Sequence, residues 1–174
     1  MPESIKKARE RSVIIFDSLK EHYPPVTTFL THQNEFELLI AVILSAQCTD
    51  ARVNMVTPAL FSALPTPKAF VSADLDEIKE LIKSINFFNN KAKHIQACSQ
   101  YLIDRHDGHV PSDLNALVNL PGVGRKTANV VLGQAFDVPG ITVDTHVKRL
   151  SQRLGFTQKD DAVKIEMDLM KRWP

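Results

Sequence analysis

The chain has 174 residues, 44% of them apolar and 24% charged, with a net charge of +1. That is the make-up of a globular protein of one compact unit or two small lobes, and a total charge so near zero leaves any polyanion to be held by a local basic cluster. No apolar run approaches the roughly 20 residues needed to span a membrane, and two cysteines, Cys48 and Cys98, are too few for a disulfide framework or a four-cysteine metal site.

The periodicity predicts an all-α protein. Helices are expected, in chain order, over Ser4–His22, Glu35–Gln47, Asp50–Leu64, Asp74–Ser84, Asn90–His106, Asp113–Leu120, Arg125–Phe136, Asp144–Leu154 and Asp160–Trp173. The stretch Met1-Pro2-Glu3-Ser4-Ile5-Lys6-Lys7 lacks a signal-peptide apolar core. Stops fall at Pro24-Pro25, Pro65-Thr66-Pro67, Gly108 with Pro111, a glycine turn at 122–124, and Pro139-Gly140. Asn34 and Glu37 have capping-box spacing, and Pro58 is expected to kink or split the third helix. The run Phe36–Leu44 is apolar nearly all round, as in a buried central helix. Cys48 and Cys98 read as buried free thiols, so no metal is expected and the compartment should be reducing.

The most informative stretch is Leu120-Pro121-Gly122-Val123-Gly124-Arg125-Lys126-Thr127-Ala128-Asn129-Val130-Val131. It reads as a tight turn opening directly onto an apolar helix. Gly122 and Gly124 allow positive φ and a close backbone approach, and the first amides of the helix offer an anion site. With the short helix expected upstream, the pattern is helix, hairpin turn, helix, which grips a DNA phosphate without reading a base. A nucleotide-binding phosphate loop does not fit, because Arg125 stands where that motif needs glycine before the lysine. A plain glycine turn between two core helices, with a solvated lysine, is the alternative. Downstream, Val143-Asp144-Thr145-His146 follows a loop holding Pro139 and Gly140 that turns the chain back toward the start of the lysine's helix. Asp144 suits a helix N-cap. A lysine and a carboxylate beside a held phosphate backbone also suit attack by an amine on a sugar carbon.

The Leu120–Val131 stretch followed by Val143-Asp144-Thr145-His146 resembles the endonuclease III branch of the helix-hairpin-helix DNA glycosylases. Phe36–Asp50 and Asn89-Asn90-Lys91-Ala92 carry the same resemblance, which runs in order along nearly the whole chain. It implies a helix-hairpin-helix DNA glycosylase fold. Residues 25–138 would form a six-helix barrel with the hairpin near 113–136, and 1–24 with 139–174 a second, incomplete lobe. It implies a DNA repair glycosylase with abasic-site lyase activity, expected to act on oxidised pyrimidines. Lys126 is then the nucleophile and Asp144 the catalytic carboxylate, facing it across a cleft. A non-catalytic DNA-binding module, an inactive fragment, or an 8-oxoguanine glycosylase of the same superfamily are the alternatives.

The resemblance also assigns the DNA contacts. Gly122, Val123, Gly124, Arg125 and Thr127 would hold the backbone, with Lys91 and His146 as further contacts. Gln47 and Phe87 would fill the gap left by a flipped nucleotide; for Phe87 a place in the core is the alternative. The family often has Gly-Leu-Tyr where this chain has Asn86-Phe87-Phe88, and Phe88 is expected in the core. Ser45 and Asp50 are pocket candidates, though Asp50 also reads as a cap and His146 as a core histidine. The partner is double-stranded DNA with damaged bases or abasic sites, bound by a monomer with no membrane partner. The setting is cytoplasmic and nucleoid-associated in a bacterium, nuclear or organellar in a eukaryote. The family usually carries a [4Fe-4S] cluster on four cysteines near its C-terminus. No cysteine follows Cys98 here, so no cofactor is expected in this chain, and Trp173 would lack its usual cover.

Overall fold

The computed structural model describes residues 3–23 and 28–173, and these contain ten helices and no strand. They are α1 (Ile5–His22), α2 (Glu35–Ser45), α3 (Asp50–Ala63), α4 (Pro67–Ser72), α5 (Leu75–Leu81), α6 (Phe88–His106), α7 (Leu114–Val118), α8 (Arg125–Ala135), α9 (Thr145–Arg153) and α10 (Ala162–Arg172). The chain divides into two compact units, residues 28–138 and residues 1–27 with 139–174. The expected stop at Pro24-Pro25, and with it the expected boundary, lies outside the described residues. None of the described helices is long and apolar enough to cross a membrane.

In the larger unit every residue of α2 from Phe36 to Leu44 is buried. Around it pack Val53 and Leu60 of α3, Phe70 of α4, Ile78 of α5, Ile95 and Leu102 of α6, Leu117 of α7 and Val131 of α8, all without solvent exposure. The Phe36 and Phe70 rings meet edge to face at 5.5 Å. Short polar caps set the helix starts. Asn34 accepts from the Glu37 amide at 2.9 Å, Thr49 caps α3, Asp74 caps α5 and Asp113 caps α7. Glu37 returns the bond one residue further out than a standard capping box, to the Gln33 amide at 2.8 Å.

Two proline readings need correction. Pro65-Thr66-Pro67 does stop α3, but it also starts α4, a helix absent from the sequence reading. Thr66 accepts from the Ala69 amide at 3.2 Å, and Pro67 sits in the first helical turn, where a missing N–H loses nothing. Pro58 does not split α3, which runs on to Ala63.

The smaller unit is built on Phe156, Ile165 and Leu169, with Ile15, Ile141, Val143, Val147 and Trp173 packed against them. Here α1 serves as an external cap. Arg9 donates to the Lys171 carbonyl at 2.8 Å and Ser12 to the Arg172 carbonyl at 2.7 Å, satisfying acceptors at the end of α10. Arg11 donates to the Leu154 carbonyl at 2.7 Å, pairs with Glu3, and lays its guanidinium 4.3 Å from the Phe156 ring centre. Trp173 finds cover of its own, edge-on to Phe156 at 5.4 Å and to Phe16 at 6.4 Å. An apolar groove of ≈ 280 Å³ runs between Leu19, Val147, Leu150, Leu154 and Trp173 of this unit.

Local opening is easiest where few apolar contacts hold. Native-state hydrogen exchange should therefore find the amides of α9 and α10 opening at least ~10-fold more readily than those of α2. Equal protection of the two sets would contradict this account of the smaller unit's core.

Candidate active site

The hairpin turn is assembled by α7, α6 and α8. After α7 the Val123 amide donates to the Leu120 carbonyl at 3.1 Å, closing the turn. Gly122 lies at φ +79°, and a Cβ there would stand 2.8 Å from Cβ of His94 on α6. Both the backbone and the space require glycine. Gly124 differs from expectation. Its φ of −88° suits any residue, and no heavy atom lies within 4 Å of where its Cβ would be. Nothing in this unit's packing requires glycine there; its effect is to keep the surface bare.

Gly124 is also the N-cap of α8, with no side chain to occupy the first-turn amides. The helical ladder begins with the Ala128 amide on the Gly124 carbonyl at 2.9 Å. The ladder of α8 thus begins one turn in, as at any helix N-terminus. Arg125 and Thr127 are half-buried in this turn, whereas Lys126 is exposed. Ala128, Asn129 and Val131 anchor the helix in the core behind them. Val123 has a buried side chain, and its amide donates within the turn.

The expected gap-filling residues stand on neighbouring loops of the same unit. Gln47, exposed, follows α2 with φ 55°, and Phe87 is the N-cap of α6 with φ 59°. Phe87 is 64% exposed, while Phe88 packs against the core. Lys91 also needs correction, since it is buried and cannot reach a phosphate. Its Nζ donates to the carbonyls of Leu44 at 2.8 Å and Ala46 at 2.6 Å, at the C-terminal end of α2. Burial holds its pKa below the ordinary lysine value. The exposed Lys93 stands nearby in sequence. Ser45 donates its hydroxyl to the Val42 carbonyl at 3.0 Å. Asp50 is half-buried in the first turn of α3, and the cap of that helix is Thr49 rather than Asp50.

Two residues of this region escaped the sequence reading. His94 backs the hairpin turn, and Asn86 donates through Nδ2 to the Gln47 carbonyl at 2.7 Å. His94 follows Lys91 by one helical turn, but nothing in the sequence says what that face of α6 touches.

In the smaller unit Asp144 is the N-cap of α9. Its Oδ1 accepts from the His146 amide at 2.9 Å and the Val147 amide at 2.8 Å, which fixes the carboxylate's orientation. His146 is exposed, with Nδ1 3.5 Å from the Arg149 guanidinium, so it is not a core histidine. Arg149 and Arg153 are exposed as well. Lys148 pairs with Asp160 at 3.0 Å, and with Gln152 holds that carboxyl below its usual range.

The residues present do not fit a four-thiolate cluster. Cys98 is buried on α6, where burial pushes its thiol up to about 12, and Cys48 is half-buried after α2. Among the described residues no three His, Cys, Asp or Glu side chains gather as metal ligands.

Residues 40–174 match the family described as HhH-GPD superfamily base excision DNA repair protein. Endonuclease III of Synechocystis sp. is 53% identical over 97% of this chain and 77% of that protein. Endonuclease III of Bacillus subtilis is 49% identical over 91% of this chain and 73% of that protein. The structure of a trapped endonuclease III–DNA covalent intermediate aligns with a TM-score of 0.89 at 48% identity, covering 95% of this chain and 78% of the other. A glycine-capped hairpin, an exposed lysine just inside the next helix and a capping aspartate beyond it thus recur in a chain whose relatives are enzymes of DNA repair, and the chain belongs to the endonuclease III family of base-excision DNA glycosylases.

Proposed function

We propose that this glycosylase is bifunctional, with Lys126 as nucleophile and Asp144 as the carboxylate that stabilises the transition state. The observation that carries the reading is the exposed Lys126 in the first turn of a helix whose cap, Gly124, leaves the surface bare. A phosphate received at this helix N-terminus brings the sugar of the same backbone to the Lys126 amine. A relative at 48% identity has been trapped as a covalent intermediate with DNA, as an amine nucleophile allows.

The reaction follows from this placement. The damaged nucleotide is extruded from the duplex, which costs least where the base is already poorly paired. The amine nitrogen bonds to C1′, and the bond from C1′ to the base breaks, the base leaving with the electron pair and taking up a proton. The C1′–O4′ bond then breaks, O4′ leaving with the electron pair and taking up a proton while the nitrogen lone pair forms the C1′=N bond of the Schiff base. The C2′ proton is then acidic; its removal expels the 3′ phosphate oxygen and cuts the strand. Asp144 steadies positive charge developing on the sugar and relays protons. Oxidised pyrimidines in double-stranded DNA are the proposed substrates and a monomer the working form. The bacterial relatives support work in the nucleoid.

Lys126→Gln should abolish borohydride-trapped adducts and strand cleavage while leaving affinity for DNA within about 3-fold, because the turn amides hold the phosphate. Undiminished trapping would remove Lys126 from the role.

Asp144→Asn separates the two jobs of this residue. Asparagine caps a helix about as well as aspartate, so the melting temperature should hold. Base release should slow by about 10²- to 10³-fold with binding little changed, as for loss of one preorganised charge. Unchanged single-turnover rates would leave Asp144 as a cap and nothing more.

A further inference from the structure

Gln47 and Phe87 lie 40 residues apart in sequence, yet they share one fastening. Each holds a left-handed backbone, φ 55° and φ 59°, which a residue with a side chain keeps only where its surroundings impose it. The surroundings are two side chains flanking Phe87. On one side Asn86 donates Nδ2 to the carbonyl of Gln47 itself, at 2.7 Å. On the other, Lys91 donates Nζ to the carbonyls of Leu44 and Ala46, just before Gln47. The amides of Asn90 and Lys91 in turn bond the Phe87 carbonyl at 3.0 and 3.1 Å. Neither loop can shift without breaking bonds to the other.

We infer that Asn86 is the positioning residue whose bond to Gln47 locks Gln47 and Phe87 into one two-pronged probe of duplex DNA, with Lys91 holding the end of α2 beneath them. The inference rests on the reading above, in which these two side chains fill the space left by an extruded nucleotide. Two separately mobile loops would each have to be ordered as the duplex opens; a pre-joined pair has that ordering in place. Phe87 supplies a ring that stacks on a base, and Gln47 an amide that can bond the base left unpaired. Lys91 is buried and works from within the fold. Asn86 is exposed at the surface, stands where the family often has glycine, and its tie to Gln47 is a side-chain bond that glycine could not make.

The test is a double-mutant cycle. Gln47→Ala, Phe87→Ala and their combination are made in the native chain and again with Asn86→Ala, and kcat/KM is measured on duplex DNA carrying an oxidised pyrimidine. In the native background the two losses should be non-additive by about 3- to 10-fold. With Asn86→Ala they should multiply to within about 2-fold, and Asn86→Ala alone should lower kcat/KM on duplex by about 3- to 10-fold. Asn86→Asp, equal in size but without the donor, should behave like the alanine variant. Asn86→Ala should lower kcat/KM on duplex by more than it lowers trapping on single-stranded abasic DNA, because no duplex has to be opened there.

Equal loss on single strand and duplex would overturn the inference, since Asn86 would then act on the fold or the nucleophile. So would coupling that survives Asn86→Ala, or full duplex activity in that variant. If the unaltered protein traps nothing, it is the Lys126 reading that fails. The same cycle, read as Kd for duplex containing a reduced abasic site, then decides on the probe alone.

Discussion

The buried ammonium of Lys91 is the interaction around which the larger unit's site is arranged. A lysine that is 6% exposed has given up its water. It stands here because two carbonyls at the C-terminal end of α2 accept from it at 2.6 and 2.8 Å, where the helix dipole also favours a cation. Hydrogen bonds to a charged group contribute roughly 1.5 to 3 kcal/mol each, enough to offset much of the desolvation. The consequence is geometric. The end of the most buried helix is pinned to the first turn of α6, and Gln47 and Phe87 are fixed with it. His94, three residues on and so on the same face of α6, packs against Gly122 and fixes the hairpin turn. One face of one helix therefore places both the loops of Gln47 and Phe87 and the hairpin turn.

The smaller unit depends on a different economy of parts. Among its described residues the buried apolar cluster is Phe156, Ile165 and Leu169, and α1 adds hydrogen bonds to the ends of other segments. Asp144 belongs to this unit and has two uses for one carboxylate. Capping α9 fixes its direction, and the charge that capping holds in place is the charge the proposed chemistry needs. The cap needs only an acceptor, which asparagine also supplies, so the cap alone does not call for a charge.

Much of this was legible in the sequence for physical reasons. The all-round apolar run Phe36–Leu44 could only be a central helix, and short polar caps marked most helix starts. Gly122 and Gly124 marked the turn, although only Gly122 needs positive φ. What stayed hidden depended on tertiary partners. A lysine in an amphipathic helix reads as solvated, so the burial of Lys91 had no local signal. Val123 sat in the binding motif, yet its side chain serves the core. The start of α4 lies in Thr66-Pro67, but the same prolines end α3, so the local signal is that of a stop. Asn86 could not be read at all, because its partner is the carbonyl of a residue on another loop.

The claim that most of the chemistry hangs on is that the Lys126 amine forms the bond to the sugar. The direct measurement is peptide mapping by mass spectrometry of the adduct formed with abasic-site DNA under borohydride. The sugar remnant should be found on the peptide containing Lys126 and on its side chain. A remnant on another lysine, or on the N-terminal amine, would contradict the account.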